Sequence, residues 1–83
     1  MSEKKQDRFV KEALVTEDML ASAVGSGSVP VLATPMVAAL LEGAAAQLAQ
    51  QYVEEGFTTV GTKIAITHEA PSAVGARVWA EAV

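Results

Sequence analysis

The stretch Thr34-Pro35-Met36-Val37-Ala38-Ala39-Leu40-Leu41-Glu42-Gly43-Ala44-Ala45-Ala46-Gln47-Leu48-Ala49-Gln50-Gln51-Tyr52-Val53 decides the fold of this chain. At 100° per residue, Leu41, Ala45, Leu48, Ala49 and Tyr52 fall on one side, while Gln47, Gln50, Gln51 and the following Glu54 form a wet stripe on the other. Thr34 suits an N-cap, and Pro35 suits the first helical position, where its missing N–H is not needed. The spacing predicts a helix over residues 34–53. Gly43 and the three alanines after it leave little side-chain bulk, so another element can approach the backbone closely. A helix of this kind is wrapped by its neighbours.

Outward from the helix, the pattern changes to extended structure. Glu54-Glu55-Gly56 ends the helix, with Gly56 read as a left-handed C-cap. Residues 57–70 then alternate as a long strand: Thr62, Ile64, Ile66 and His68 share one face, and Lys63, Ala65, Thr67 and Glu69 share the other. Residues 71–75 read as a turn, and 76–83 resume an extended pattern with Arg77 and Trp79 on one side. The two segments are expected to pair antiparallel. Upstream, Phe9, Val10, Leu14 and Val15 suit a first strand, and residues 19–24 suit either a short helical turn or another extended piece. Gly25-Ser26-Gly27-Ser28 is a turning loop, and Pro30 limits residues 29–33 to an edge or approach segment. Residues 1–7 are polar and expected to fray. The expectation is one α+β domain over residues 1–83, a partial one, because the chain stops at Val83 in what reads as a sheet edge.

Bulk properties narrow the function. A chain of 83 residues buries only roughly 60% of its unfolded surface, so its own core is marginal. It contains no cysteine to add a disulfide or a thiolate zinc site, and a partner subunit is the natural remedy. The net charge of −4 with few, scattered basic residues opposes nucleic-acid binding. A charged start (Glu3, Lys4, Lys5, Asp7, Arg8) without an apolar run behind it points to a soluble cytoplasmic protein rather than a membrane or secreted one.

Three residues stand out as chemistry. Glu42 lies off the Gln/Glu stripe among Ala38, Ala45, Ala46, Ala49 and Val53, where the pattern asks for an apolar residue. Burial there would make its carboxylate a general acid or base near neutral pH, although a solvent-reaching glutamate at the margin of the stripe fits the same position. His68, the only histidine, shares its face with Ile64 and Ile66 and points to the core or to a pocket; hydrogen-bonded packing is the plainer explanation. Thr34 is explained as a cap, yet the helix start beside it would offer the N–H groups of Met36 and Val37 to a developing oxyanion. Gly61 interrupts a run of bulkier residues, marking either a bulge or a close approach. One histidine, no cysteine and one well-placed glutamate do not make a metal site, and no cofactor is expected. The Gly25–Ser28 loop lacks the ending of a P-loop and the spacing of a dinucleotide fold.

The run from Val31-Leu32-Ala33-Thr34-Pro35 through Leu41-Glu42, then Val60-Gly61-Thr62-Lys63-Ile64-Ala65-Ile66-Thr67-His68-Glu69-Ala70-Pro71 and Val74-Gly75, resembles the fluoroacetyl-CoA thioesterase-like branch of the hotdog-fold thioesterases over about residues 8–83. The resemblance implies a long central helix wrapped by an antiparallel sheet. It also implies an acyl-CoA thioesterase of small acyl groups that acts as a homodimer. Thr34, Glu42 and His68 would be the catalytic set, with Gly61, Met36 and Val37 at the substrate. The aromatic lid of the fluoroacetate-specific member has no counterpart here, where Ser28, Val29 and Val31 occupy the approach to Thr34, so fluoroacetate specificity is not implied. Thr34 and Glu42 stand eight residues apart, roughly 12 Å along a helix, so a site using both is bridged by substrate and water or assembled across a dimer interface. A hotdog enoyl-CoA hydratase or dehydratase and a non-catalytic acyl-CoA-binding or oligomerising module are the alternatives.

Overall fold

Strands near the two ends of the chain find each other. β1 (Phe9–Leu14) and β2 (Arg77–Ala82) form an antiparallel pair, with Phe9 opposite Ala82 and Leu14 opposite Arg77. The structure, a computed structural model, describes residues 5–83, so the fraying expected of residues 1–7 lies outside the described residues for 1–4. It does not extend to Gln6, whose N–H donates to Gln51 Oε1 at 2.8 Å and whose carbonyl accepts from the Tyr52 hydroxyl.

Period-two alternation sorts the sheet into two faces. Phe9, Lys11 and Ala13 lie opposite Ala82, Ala80 and Val78 on the more covered face, which receives the helix α2 (Thr34–Gln50). The other face carries Val10, Glu12 and Leu14 with Arg77, Trp79 and Glu81, and Trp79 is 64% exposed. Lys11 lays its aliphatic stem across the helix at Gly43, where a Cβ would stand 2.8 Å from Nζ. The small residue expected to admit a close neighbour does so, to a lysine from the sheet.

The helix begins where the spacing predicts and stops three residues earlier, at Gln50. Gly56, with φ +90°, is the third residue of a separate turn closed by Phe57 N–H donating to Glu54 O at 3.0 Å. It is therefore a turn glycine and not the helix C-cap.

The expected pairing of 57–70 with 76–83 does not form. β2 takes β1 instead, and among the described residues no backbone-to-backbone hydrogen bond involves residues 58–71. The reason lies in the turn. Gly75, at φ +91°, is the third residue of a reverse turn closed by Ala76 N–H to Ala73 O, and Val15 captures the outgoing chain on both sides, accepting from Gly75 N–H and donating to Ala76 O. That capture feeds β2 onto β1 and leaves the preceding segment on its own. Alternation specifies which faces a strand has, and it does not specify a partner.

The most buried cluster sits at the N-terminal end of α2: Val15, Leu20 and Leu32, backed by Met19, Met36, Val37, Ala76 and Val78. A 3-10 turn (Glu17–Met19) and a one-turn helix α1 (Ala21–Val24) resolve the ambiguous segment. Leu20 bridges Leu32, Ala21 N–H donates to Val31 O at 2.8 Å, and Ala33 N–H donates to Met19 O at 2.9 Å. The approach segment is thus clamped up to the residue before Thr34.

Candidate active site

Thr34 is held by this clamp, and its hydroxyl is free of capping. The N-cap of α2 is Ala33, without a side-chain hydrogen bond, so Thr34 occupies the first turn and is not the cap the spacing suggested. Its Oγ1 stands 2.8 Å from His68 Nδ1. With the ring proton on Nε2, Nδ1 accepts the hydroxyl proton, the geometry in which a base prepares a hydroxyl for attack or for holding a water. His68 is half-buried, facing the helix as its alternation with Ile64 and Ile66 indicates. One bond ties the two sides of this pair into the core: Leu32, two residues before Thr34, donates its N–H to the carbonyl of Ser72, four residues after His68, at 2.7 Å. Nothing in the composition of Ser72 signals that role, since only its backbone is used.

The oxyanion donors expected at the helix start are occupied. Met36 N–H and Val37 N–H both donate to Ala33 O, at 2.9 and 3.1 Å. Pro35 has no N–H. Thr34 N–H is the first-turn amide for which the described residues supply no acceptor.

Glu42 lies eight residues, about two turns, further along the helix and is exposed, the second of the two placements that its alanine neighbours left open. Its carboxylate rests against the backbone of Gly61, where a Cβ would meet Oε2 at 2.6 Å. Beside it opens a cavity of about 520 Å³ lined by Leu41, Glu42, Ala45, Ala46 and Ala49 from the helix and by residues 59–61 and 63–66 from the unpaired segment. A volume in this range suits a small organic ligand. The alanines that leave the helix surface bare therefore line a cavity as well as a packing face. Thr34 and His68 do not line this cavity. The fold brings Thr34 to His68 and Glu42 to Gly61, and keeps the two pairs roughly two helical turns apart. Among the described residues no three histidine, cysteine or acidic side chains lie close enough to hold a metal ion, and no helix is long and apolar enough to cross a membrane.

Residues 15–83 match the family described as fluoroacetyl-CoA-specific thioesterase. The chain belongs to that family. Solved structures of the fluoroacetyl-CoA thioesterase FlK share its fold, the long helix and antiparallel sheet of the hotdog thioesterases. A variant of FlK in complex with fluoroacetate and CoA superposes with a TM-score of 0.79 at 24% identity, over 93% of this chain and 66% of that one. FlK in a study of its activity and substrate specificity gives 0.77 at 25% identity, over 95% and 63%. A further variant in complex with acetyl-CoA gives 0.78 at 24%, over 93% and 62%. The chain thus spans a little under two thirds of the length of these relatives. No curated protein matches it.

Proposed function

We propose that this chain provides the catalytic residues of an acyl-CoA thioesterase acting on a small acyl thioester. The observation that carries the reading is the 2.8 Å contact between Thr34 Oγ1 and His68 Nδ1 at the head of α2, in a chain of the fluoroacetyl-CoA-specific thioesterase family. Thr34, or a water it holds, gives its proton to His68 as the new bond to the thioester carbonyl forms. The carbon–sulfur bond then breaks, and His68 returns the proton to the departing CoA thiolate. Where Thr34 attacks, a second water then cleaves the acyl–Thr34 ester: Glu42, bridged to the site by substrate and water or across a dimer interface, takes that water's proton, and the departing Thr34 oxygen regains one. Where the held water attacks, the acid is released in the first step. The products are a free acid and CoA thiol.

The unsubstituted protein is expected to release thiol from acetyl-CoA, and Glu42→Gln to lower that rate about 100-fold, the lower end for a general base because the carboxylate is exposed. Thiol release measured against acyl-chain length checks both. Full activity in Glu42→Gln removes Glu42 from the mechanism. Water added to an enoyl-CoA without thiol release would mean a hydratase, and tight acyl-CoA binding without turnover a non-catalytic module.

The working form in this reading is a cytoplasmic homodimer that contacts acyl-CoA but neither nucleic acid nor membrane. Support comes from the absence of cysteine and from the unpaired backbone of residues 58–71, along which Val60 is 82% and Ile64 45% exposed. Such an edge is ready to accept a strand from a second copy. Sedimentation at micromolar concentration is expected to give the mass of two chains; a single-chain mass across that range rules the dimer out.

A further inference from the structure

We infer that Gly61 is a positioning residue for Glu42: it is glycine because the carboxylate needs the space its missing side chain leaves. This rests on the thioesterase reading above and assigns Gly61 a role different from the substrate contact that the family resemblance implies. Three observations support it. Gly61 is not among the glycines with positive φ, which are Gly25, Gly56 and Gly75, so its backbone conformation is open to any residue. It makes no backbone-to-backbone hydrogen bond, so there is no ladder to bulge. A Cβ built on it would stand 2.6 Å from Glu42 Oε2 and 3.8 Å from Cδ, and meets nothing else within 4 Å.

Real Cβ atoms essentially never approach another atom closer than 3.0 Å. A methyl at position 61 therefore displaces the carboxylate. Because Oε2 is the free end of a flexible side chain, it swings aside without disturbing the helix or the segment. The backbone of residue 61 also loses conformational freedom when unfolded, which acts in favour of the folded state. The substitution thus separates folding from catalysis: the protein keeps its stability and loses the placement of one functional group.

The test is Gly61→Ala combined with Glu42→Gln and Glu42→Asp, followed by thiol release and thermal unfolding. The expected result is an unchanged or slightly raised Tm, and a kcat for Gly61→Ala lowered tenfold or more with KM within about twofold. In the Glu42→Gln background, Gly61→Ala is expected to cost less than threefold, because the group it displaces is already silent. Glu42→Asp, one methylene shorter, is expected to tolerate Gly61→Ala better than the native glutamate does. Equal losses in all three backgrounds, a loss carried by KM, or a large fall in Tm would each overturn the inference. If the unsubstituted protein releases no thiol from any acyl-CoA, the thioesterase reading fails by itself. The positioning claim is then decided by the ¹³C shift of Glu42 Cδ, which moves on Gly61→Ala if the methyl displaces the carboxylate and otherwise stays.

Discussion

Replacing His68 by alanine is expected to lower the rate of thioester hydrolysis by about 10²- to 10⁴-fold, the range of a positioned general acid–base. His68 carries two proton transfers in the proposed cycle, one from the Thr34 hydroxyl or its water and one to the leaving thiolate. Its Nδ1 lies 2.8 Å from Thr34 Oγ1, close enough for the first without rearrangement. The ring is half-buried and its hydrogen bond to Thr34 lies within reach of solvent, so truncation leaves a gap that water can fill. Stability is therefore expected to change by less than about 1 kcal/mol. Thiol release and thermal unfolding measured on the same preparation check this. A rate within threefold of the native one means that the contact is structural, and a collapse in Tm means that His68 packs the fold and says nothing about chemistry.

Leu32→Ala is expected to act in the opposite sense, through the fold. Leu32 is 5% exposed and packs with Val15 and Leu20 in the deepest cluster. Truncating a buried leucine costs about 2–5 kcal/mol, and a small domain has only about 5–15 kcal/mol in total. A fall in Tm on the order of 10 °C or more follows. Activity is expected to fall more than the folded fraction does, because Leu32 also holds the site: its N–H donates to Ser72 O, joining the approach segment that leads into Thr34 to the segment that carries His68. Urea unfolding gives the stability loss directly. An unchanged midpoint would place the stabilising core elsewhere.

The parts of the fold legible in the sequence were those set by local rules. Thr34-Pro35 followed by a 3.6-residue pattern marked the long helix, and alternation from Arg77 onward marked β2, with Arg77 and Trp79 on one face as observed. Strand pairing was not legible. Residues 57–70 alternate clearly, yet which strand pairs with which is decided by Val15 gripping Gly75 and Ala76 across some sixty residues of chain, and no spacing rule reaches that far. The family pattern, in which Thr34, Glu42, Gly61 and His68 fall in order, singled out the residues of the candidate site. Two details of their arrangement needed three dimensions. Ala33, not Thr34, caps the helix, which leaves the Thr34 hydroxyl to His68. Glu42 is exposed against Gly61, a choice its alanine neighbours left open, because small residues line open cavities as readily as they fill cores.

In the proposed mechanism the working unit is the Thr34–His68 pair, and a double-mutant cycle on thiol release from acetyl-CoA tests that most directly. Residues acting in one step are strongly non-additive. Thr34→Ala and His68→Ala are each expected to cost about 100-fold or more, and the double substitution about as much as the worse single one. Losses that multiply, or full thiol release in either single variant, would contradict the account.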